Sequence, residues 1–368
     1  MANRSEIAKR ALEAVRDRKD RMNSAKIHGV YVLALAAIAS SAIAANTGQS
    51  PAERLPPHIT QLTSFGERAD WSSDGKKILF LSKTFGDAME IDLATRKIRN
   101  LTAHYPHYGY TRALYLSNGD ILLSGPQEFD VENPGRARQQ CFPAVLDRSL
   151  TKPAAPLGTK CFEGPAVSRR RLHIAWTHVA DEYPDELAPG TSRMQEADIV
   201  YTEGVPHLEN QARIVVSTEL PFRCEMESQN FRLPEEKELI FSAYGYQDTE
   251  VCGIDLDTKQ VTNYSLAPGQ YDEPEGIFPD GRHILVECDK QNRRGPGHVD
   301  LWKLALDGGG KTQRLTQFSD YHGYKASNPV VSDDGQYIAF QMARSRDAAG
   351  VGHGIFIYDI VRARPLAE

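Results

Sequence analysis

The sequence predicts an all-β fold: a six-bladed β-propeller of four-stranded blades, with the ring closed by an N-terminal strand. Three observations carry that expectation. A strand–turn–strand phrase returns along the chain, apolar runs follow most copies as third and fourth strands, and a strand near the start has no blade in front of it.

The phrase is Trp71-Ser72-Ser73-Asp74-Gly75-Lys76-Lys77-Ile78-Leu79-Phe80, and it returns around Asn118-Gly119, Asp280-Gly281 and Asp334-Gly335. Asp-Gly or Asn-Gly between two apolar runs is the chemistry of a tight β-hairpin. The turn glycines at 75, 119, 281 and 335 leave a long central gap with room for two more units. Two degraded copies fill it, Val167–Trp176 without the glycine and Phe231–Phe241 with a longer turn.

Third strands that mostly end in an acidic turn follow at Ile91-Asp92-Leu93, Val145-Leu146-Asp147, Ile254-Asp255-Leu256, Leu301–Leu304 and Ile357–Ile360. Short fourth strands end in Leu-Thr, at Leu101-Thr102 and Leu315-Thr316. Ile59-Thr60-Gln61-Leu62-Thr63 resembles such a fourth strand, and pairing it with the last third strand would leave no open edge. One propeller domain over residues 55–368 is therefore expected, after a linker at 45–54. With its Trp-Ser-x-Asp-Gly signature, this pattern resembles the Tol-B type of six-bladed propeller, a likeness specific for fold and weak for activity.

Residues 1–29 hold eight Lys/Arg and four Asp/Glu, and residues 30–44 carry no charge. This reads as a signal peptide over 1–44 ending in Ala42-Ile43-Ala44 or, alternatively, as an uncleaved N-terminal membrane anchor, and it places the protein in the periplasm or outside the cell. Removing the +4 of residues 1–29 from the total of −6 leaves −10, which argues against a nucleic-acid partner. A monomer is expected. Five cysteines in an oxidising compartment suggest two bridges, Cys141–Cys161 and Cys224–Cys252, with Cys288 left as a buried thiol.

Propellers bind ligands where the inner strands meet. Four residues upstream of the aligned apolar position, the six units carry Glu67, Thr111, Glu163, Glu227, Glu273 and Ser327. Arg68 and Arg112 occupy the next register, and Glu275 shares a strand face with Glu273. Such a ring could bind a cation, a basic peptide or a sugar, or supply a general acid and base from Glu67, Glu163, Glu273 and Glu275. The plain alternative is solvated or structurally paired carboxylates.

The last unit adds candidate ligand-binding residues in His322, Lys325, Asn328, Gln341, Arg344 and His353, the last in a long polar glycine-rich loop. This segment is also similar to secreted propellers that act on plant glycosides, such as fungal saponin hydrolases, and more distantly to oligogalacturonate lyases. The lyases hold a metal with histidines and a glutamine, but His298, His322, His353 and Gln341 show no matching spacing. No metal site is assigned, and a divalent metal is the one cofactor left open. His104-Tyr105-Pro106-His107 and Asp255-x-Asp257 read as turn residues. No Gly-x-Ser-x-Gly elbow is present, which excludes a serine-hydrolase reading of the blades.

Two function classes follow: a Tol-B-like propeller binding a ligand or an envelope protein through its channel, and, as the alternative, a glycoside hydrolase or polysaccharide lyase acting on a glycoside or oligosaccharide.

Overall fold

The computed structural model describes residues 48–129, 132–347 and 350–363. The segment read as signal or anchor lies outside them, as do Ala348 and Ala349 of the glycine-rich loop. At the start of the described chain, Ser50 caps a 3₁₀ turn at Pro51–Arg54 through a reciprocal bond pair with Glu53.

The first strand, β1 (Ile59–Gln61), stands apart from its neighbours in sequence. Six antiparallel sets then take shape, the fourth and fifth joined into one sheet by a short parallel pairing of Asp248 with Gln270 and Thr249 with Tyr271. The first is β2 (Glu67–Trp71), β3 (Lys77–Leu81), β4 (Ala88–Asp92) and β5 (Ile98–Asn100); the second is β6 (Arg112–Tyr115), β7 (Ile121–Pro126), β8 (Cys141–Leu146) and β9 (Ala155–Pro156). The third is β10 (Ala166–Val167), β11 (His173–Val179), β12 (Ser192–Thr202) and β13 (Val205–Val216), and the fourth is β14 (Glu225–Phe231), β15 (Glu238–Tyr244), β16 (Asp248–Asp255) and β17 (Val261–Asn263). The fifth is β18 (Gln270–Ile277), β19 (His283–Cys288), β20 (Asp300–Ala305) and β21 (Thr312–Arg314). The sixth is β22 (Tyr324–Val331), β23 (Tyr337–Arg344) and β24 (Ile355–Asp359), and β1 completes it: Ile59 lies opposite Tyr358 and Gln61 opposite Phe356.

The repeated phrase is explained by its turn. Ser72 Oγ donates to Asp74 Oδ1 at 2.7 Å and accepts from Lys77 N–H at 3.0 Å, while Gly75 takes the left-handed conformation at φ 67°. Ser332, Asp334 and Gly335 repeat this arrangement in the sixth set. Each motif residue therefore satisfies backbone groups at the hairpin.

Apolar cores lie between neighbouring sets. Leu79 and Leu81 meet Leu123, and Leu122 and Val145 meet Ile174 and Trp176. Ala175 and Met194 meet Phe231 and Phe241, and Ile240 and Val251 meet Ile284 and Val286. Leu285 and Leu301 meet Phe340 and Phe356, and Trp71 and Phe80 meet Ala339 and Ile355. The last joint returns from the sixth set to the first, where the Trp71 indole N–H donates to Val330 O at 3.2 Å.

Two expectations need correction. All five cysteines are buried free thiols, so neither expected bridge is formed. Cys141 and Cys161 oppose each other in an isolated antiparallel bridge, but their thiols have separate hydroxyl partners, Thr111 at 3.3 Å and Ser124 at 3.2 Å. Cys224 and Cys252 pack as small apolar groups in the core between the third and fourth sets. Burial pushes the Cys141 and Cys224 thiols up to about 12. The third set also has outer strands that the sequence reading did not assign. They form a long hairpin turning on Glu203 (φ 51°) and Gly204 (φ 78°), and β13 is largely exposed, so it lacks an apolar run.

Ile59 is 6 % exposed and fixes β1 against the sixth set, so Ile59→Ala should cost about 2–4 kcal/mol in urea unfolding; an unchanged midpoint would show that the β1 joint contributes little. Glu182 is 4 % exposed, one of its oxygens has no partner among the described residues, and burial raises its pKa from 4.5 to about 8. The folded state therefore holds a proton that the unfolded chain releases, and this stability is present below about pH 4.5 and lost as pH rises through 8. Glu182→Gln should remove ~2–4 kcal/mol of that decline, measured as unfolding free energy at pH 5 and pH 8.

Candidate functional site

The inner strands β2, β14, β18 and β22 each carry a register shift at the same place, between Glu67 and Asp70, Ser228 and Asn230, Pro274 and Gly276, and Ser327 and Val330. A bulge re-aims the side chains beside it. Next to these shifts, or at the equivalent point of the third set, three non-glycine residues take left-handed backbone: Arg68 (φ 52°), Glu163 (φ 60°) and Asn328 (φ 47°). All three line one central cavity of about 510 Å³.

Glu163 sits between two guanidinium groups, Arg68 at 3.3 Å and Arg138 at 2.8 Å. Burial alone would push its carboxyl up, but Arg68, Arg138 and Arg112 more than reverse this and hold it below the ordinary carboxylate range. Its carbonyl oxygen accepts from Thr111 Oγ1 at 2.7 Å and Ser124 Oγ at 3.0 Å, which fixes the left-handed turn. Gly164 follows because a methyl group there would lie 2.2 Å from Arg112 Cγ.

Arg112 is shared by two other carboxylates, Glu227 at 3.2 Å and Glu275 at 3.7 Å. The Tyr244 hydroxyl lies 2.7 Å from Glu227 Oε2 and 2.5 Å from Glu273 Oε1. One hydroxyl carries one proton, so both contacts can be hydrogen bonds only if one carboxyl is itself protonated. Glu227 is the candidate: burial first, with the charges of Glu273 and Glu163 added, pushes it to about 7 against the pull of Arg112. Tyr271 holds the other oxygen of Glu273. Glu275 is raised well above its ordinary value and Glu287 is also raised, in both cases chiefly by burial.

Glu67 is fully buried; Thr84 donates to its Oε1, and its Oε2 has no partner among the described residues. Arg68 Nη1 is likewise buried and unpaired there. Gln341 Oε1 accepts from the Arg68 main-chain N–H at 2.6 Å, while Asn328 donates through its main chain to Glu287 at 2.6 Å and through its side chain to Glu275 at 2.9 Å. At the turn end of the strands, Arg169 reaches Asp70 at 2.7 Å and Asp333 at 3.6 Å, joining the first, third and sixth sets.

The residues expected from the last set divide. Lys325, Asn328, Gln341 and Arg344 line the cavity, and Arg344 is exposed and lies over the Tyr324 ring. His322 is exposed and not in the lining. His353 instead holds its own loop through a 2.5 Å contact with Asp347. That loop packs against the first set, where Thr84 N–H donates to Gly350 O at 2.9 Å and a methyl group on Gly350 would collide with Thr84 at 2.1 Å. His107 pairs with Asp87, and Asp255 accepts from the Asp257 and Thr258 main chain, so both are turn residues as read.

Four lining residues stand outside the aligned register: Arg138, Tyr244, Tyr271 and Glu287. Arg138 arrives on α1 (Pro134–Gln139), an insertion between β7 and β8, and Glu287 stands on a second strand, outside an inner-strand alignment. Tyr271 was detectable, two residues from Glu273 on the same strand face.

Breaking a buried pair leaves an uncompensated charge, so Glu163→Ala should lower stability by about 3 kcal/mol. Glu67→Gln removes no ion pair among the described residues and should leave the melting temperature nearly unchanged. Parallel urea melts compare the two, and equal losses would contradict the division of roles.

No protein-family model and no curated protein matches the chain. Among solved structures it is similar to a gluconolactonase from Xanthomonas campestris, at 10 % identity and TM-score 0.51, covering 82 % of this chain and 88 % of that one. A putative TolB from Agrobacterium tumefaciens matches at 16 % identity and TM-score 0.47, covering 73 % of this chain and 95 % of that one. An oligogalacturonate lyase from Vibrio parahaemolyticus matches at 13 % identity and TM-score 0.48, covering 82 % and 93 %. At these identities the likeness speaks for the fold alone: the chain is a β-propeller, with TolB-like propellers among the structures it is similar to.

Proposed function

We propose that this chain is an exported six-bladed propeller that binds a small, polar, hydrogen-bonding ligand in its central cavity, with Glu67, Arg68, Glu273 and Asn328 as contacts. The observation that carries this reading is the coincidence of left-handed backbone at Arg68, Glu163 and Asn328 around one cavity. Each such residue costs on the order of 1 kcal/mol, a strain that folded proteins concentrate at ligand sites. The volume of about 510 Å³ suits a mono- or disaccharide-sized molecule. Unmet groups at Glu67 Oε2 and Arg68 Nη1 supply an acceptor and a donor that a hydroxyl-rich or charged ligand would satisfy.

Binding is favoured over turnover because most carboxylates in and beside the cavity already have protein partners. Glu163 is held by two arginines, Glu227 and Glu275 by Arg112, and Glu273 by two tyrosines. One observation supports the carbohydrate-active alternative: a carboxyl raised to about 7, Glu227, in the same cavity as the ionised Glu163. A general acid needs that kind of contrast. The envelope-protein reading remains the outcome if no small molecule binds.

A thermal-shift and product-release screen against glycosides, uronic-acid oligosaccharides and free sugars separates these readings. The expected result is a stabilising ligand without product, lost by at least about tenfold in affinity in Glu67→Gln and Glu273→Gln, each retaining the wild-type melting temperature without ligand. Product formation that Glu227→Gln abolishes would replace binding with catalysis. Unaltered binding in both Glu67→Gln and Glu273→Gln would remove the cavity from the account.

A further inference from the structure

At one edge of the cavity three carboxyl groups crowd together with a single guanidinium contact. Glu273 and Glu275 project from one face of β18, and Glu287 stands directly opposite Glu273 on β19. One carboxylate oxygen from each lies within 4.8 Å of the other two. Like charges facing each other across an antiparallel pair are destabilising. The nearest guanidinium contact is Arg112 to Glu275 at 3.7 Å, and Glu273 and Glu287 form no ion pair among the described residues.

Asn328 arranges this corner. Its left-handed backbone lets the main-chain N–H bond Glu287 Oε1 while the side-chain amide bonds Glu275 Oε1, so two of the three carboxylates are oriented from one residue. A separate feature points to a bound group: Glu67, fully buried on β2, lines the cavity that Glu273 and Glu287 also line, with its Oε2 unpartnered among the described residues.

We propose that Glu273, Glu275 and Glu287 hold a divalent cation of the hard, oxygen-preferring class, such as Ca²⁺ or Mn²⁺. The donor set is carboxylate throughout, with neither histidine nor cysteine in the group, and this chemistry selects such ions over zinc or copper. The inference rests on reading the central cavity as a ligand site and deepens it: the cation neutralises the carboxylates and offers the ligand a Lewis-acidic contact. It also departs from the histidine and glutamine set weighed in the sequence, since His322 and His353 lie outside the cavity lining.

The test is titration of the full chain, purified through a chelator, with MnCl₂, read by the paramagnetic relaxation of water protons and by calorimetry with CaCl₂. One saturable site per chain is expected, weakened at least about tenfold in Glu273→Gln and in Glu287→Gln. The exposed Glu209→Gln should bind like wild type. Glu275→Gln serves as a third variant if either of the others loses its circular-dichroism spectrum. Weak binding of several ions, equal in all variants, would overturn the site. So would no binding of either ion by a protein that still binds a sugar ligand, and in that case the cavity reading stands. Absence of both responses sinks both ideas.

Discussion

Arg112 is the contact on which the central cavity depends. Five glutamates, at 67, 163, 227, 273 and 287, line a space into which the half-buried guanidinium groups of Arg68, Arg112 and Arg138 reach, and Glu275 stands beside it. Arg112 spans from the second set to the fourth and fifth, and the charges of Glu275, Glu227, Glu163 and Glu273 all bear on it. Burying a carboxylate without a partner is expensive, so the protein uses the remaining means available to it. Glu163 is kept ionised by clamping, Glu227 is raised toward neutrality, and Glu273 is held by tyrosine hydroxyls. These different environments at one strand register let a repetitive scaffold carry a non-repetitive site.

The scaffold makes that possible by separating its tasks along each inner strand. At the turn end, Ser-x-Asp-Gly chemistry closes the hairpins, and Arg169 ties the first, third and sixth sets through Asp70 and Asp333. Four residues away, on the order of 13 Å along an extended chain, the bulges turn side chains into the cavity. Apolar cores between neighbouring sets bear the stability, leaving the polar interior free to carry strain and unmet hydrogen bonds.

Much of this was legible in the sequence. The turn glycines revealed the repeat because a left-handed backbone position sets a strict local requirement, and Ile59–Gln61 revealed its partner because an orphan strand must pair. Glu67, Glu163, Glu227 and Glu273, read at one register, line one cavity, including Glu227 in a unit with a degraded turn. Less was legible wherever another element intrudes. Arg138 comes from an inserted helix, Glu287 from a second strand, and β12 and β13 hide behind polar faces. The bulges and the backbone at Arg68 left no residue signature, whereas Asn328 is of the type that, after glycine, most readily takes the left-handed region. The cysteine arithmetic erred because parity and spacing say nothing about where thiols point.

Electron density in the central cavity of the purified protein tests the central claim most directly. Ordered density is expected between Glu67, Arg68 and the Glu273, Glu275 and Glu287 carboxylates, contacting Glu67 Oε2 and Arg68 Nη1. A cavity closed by its own side chains, with Glu67 and Arg68 paired to one another, would contradict it.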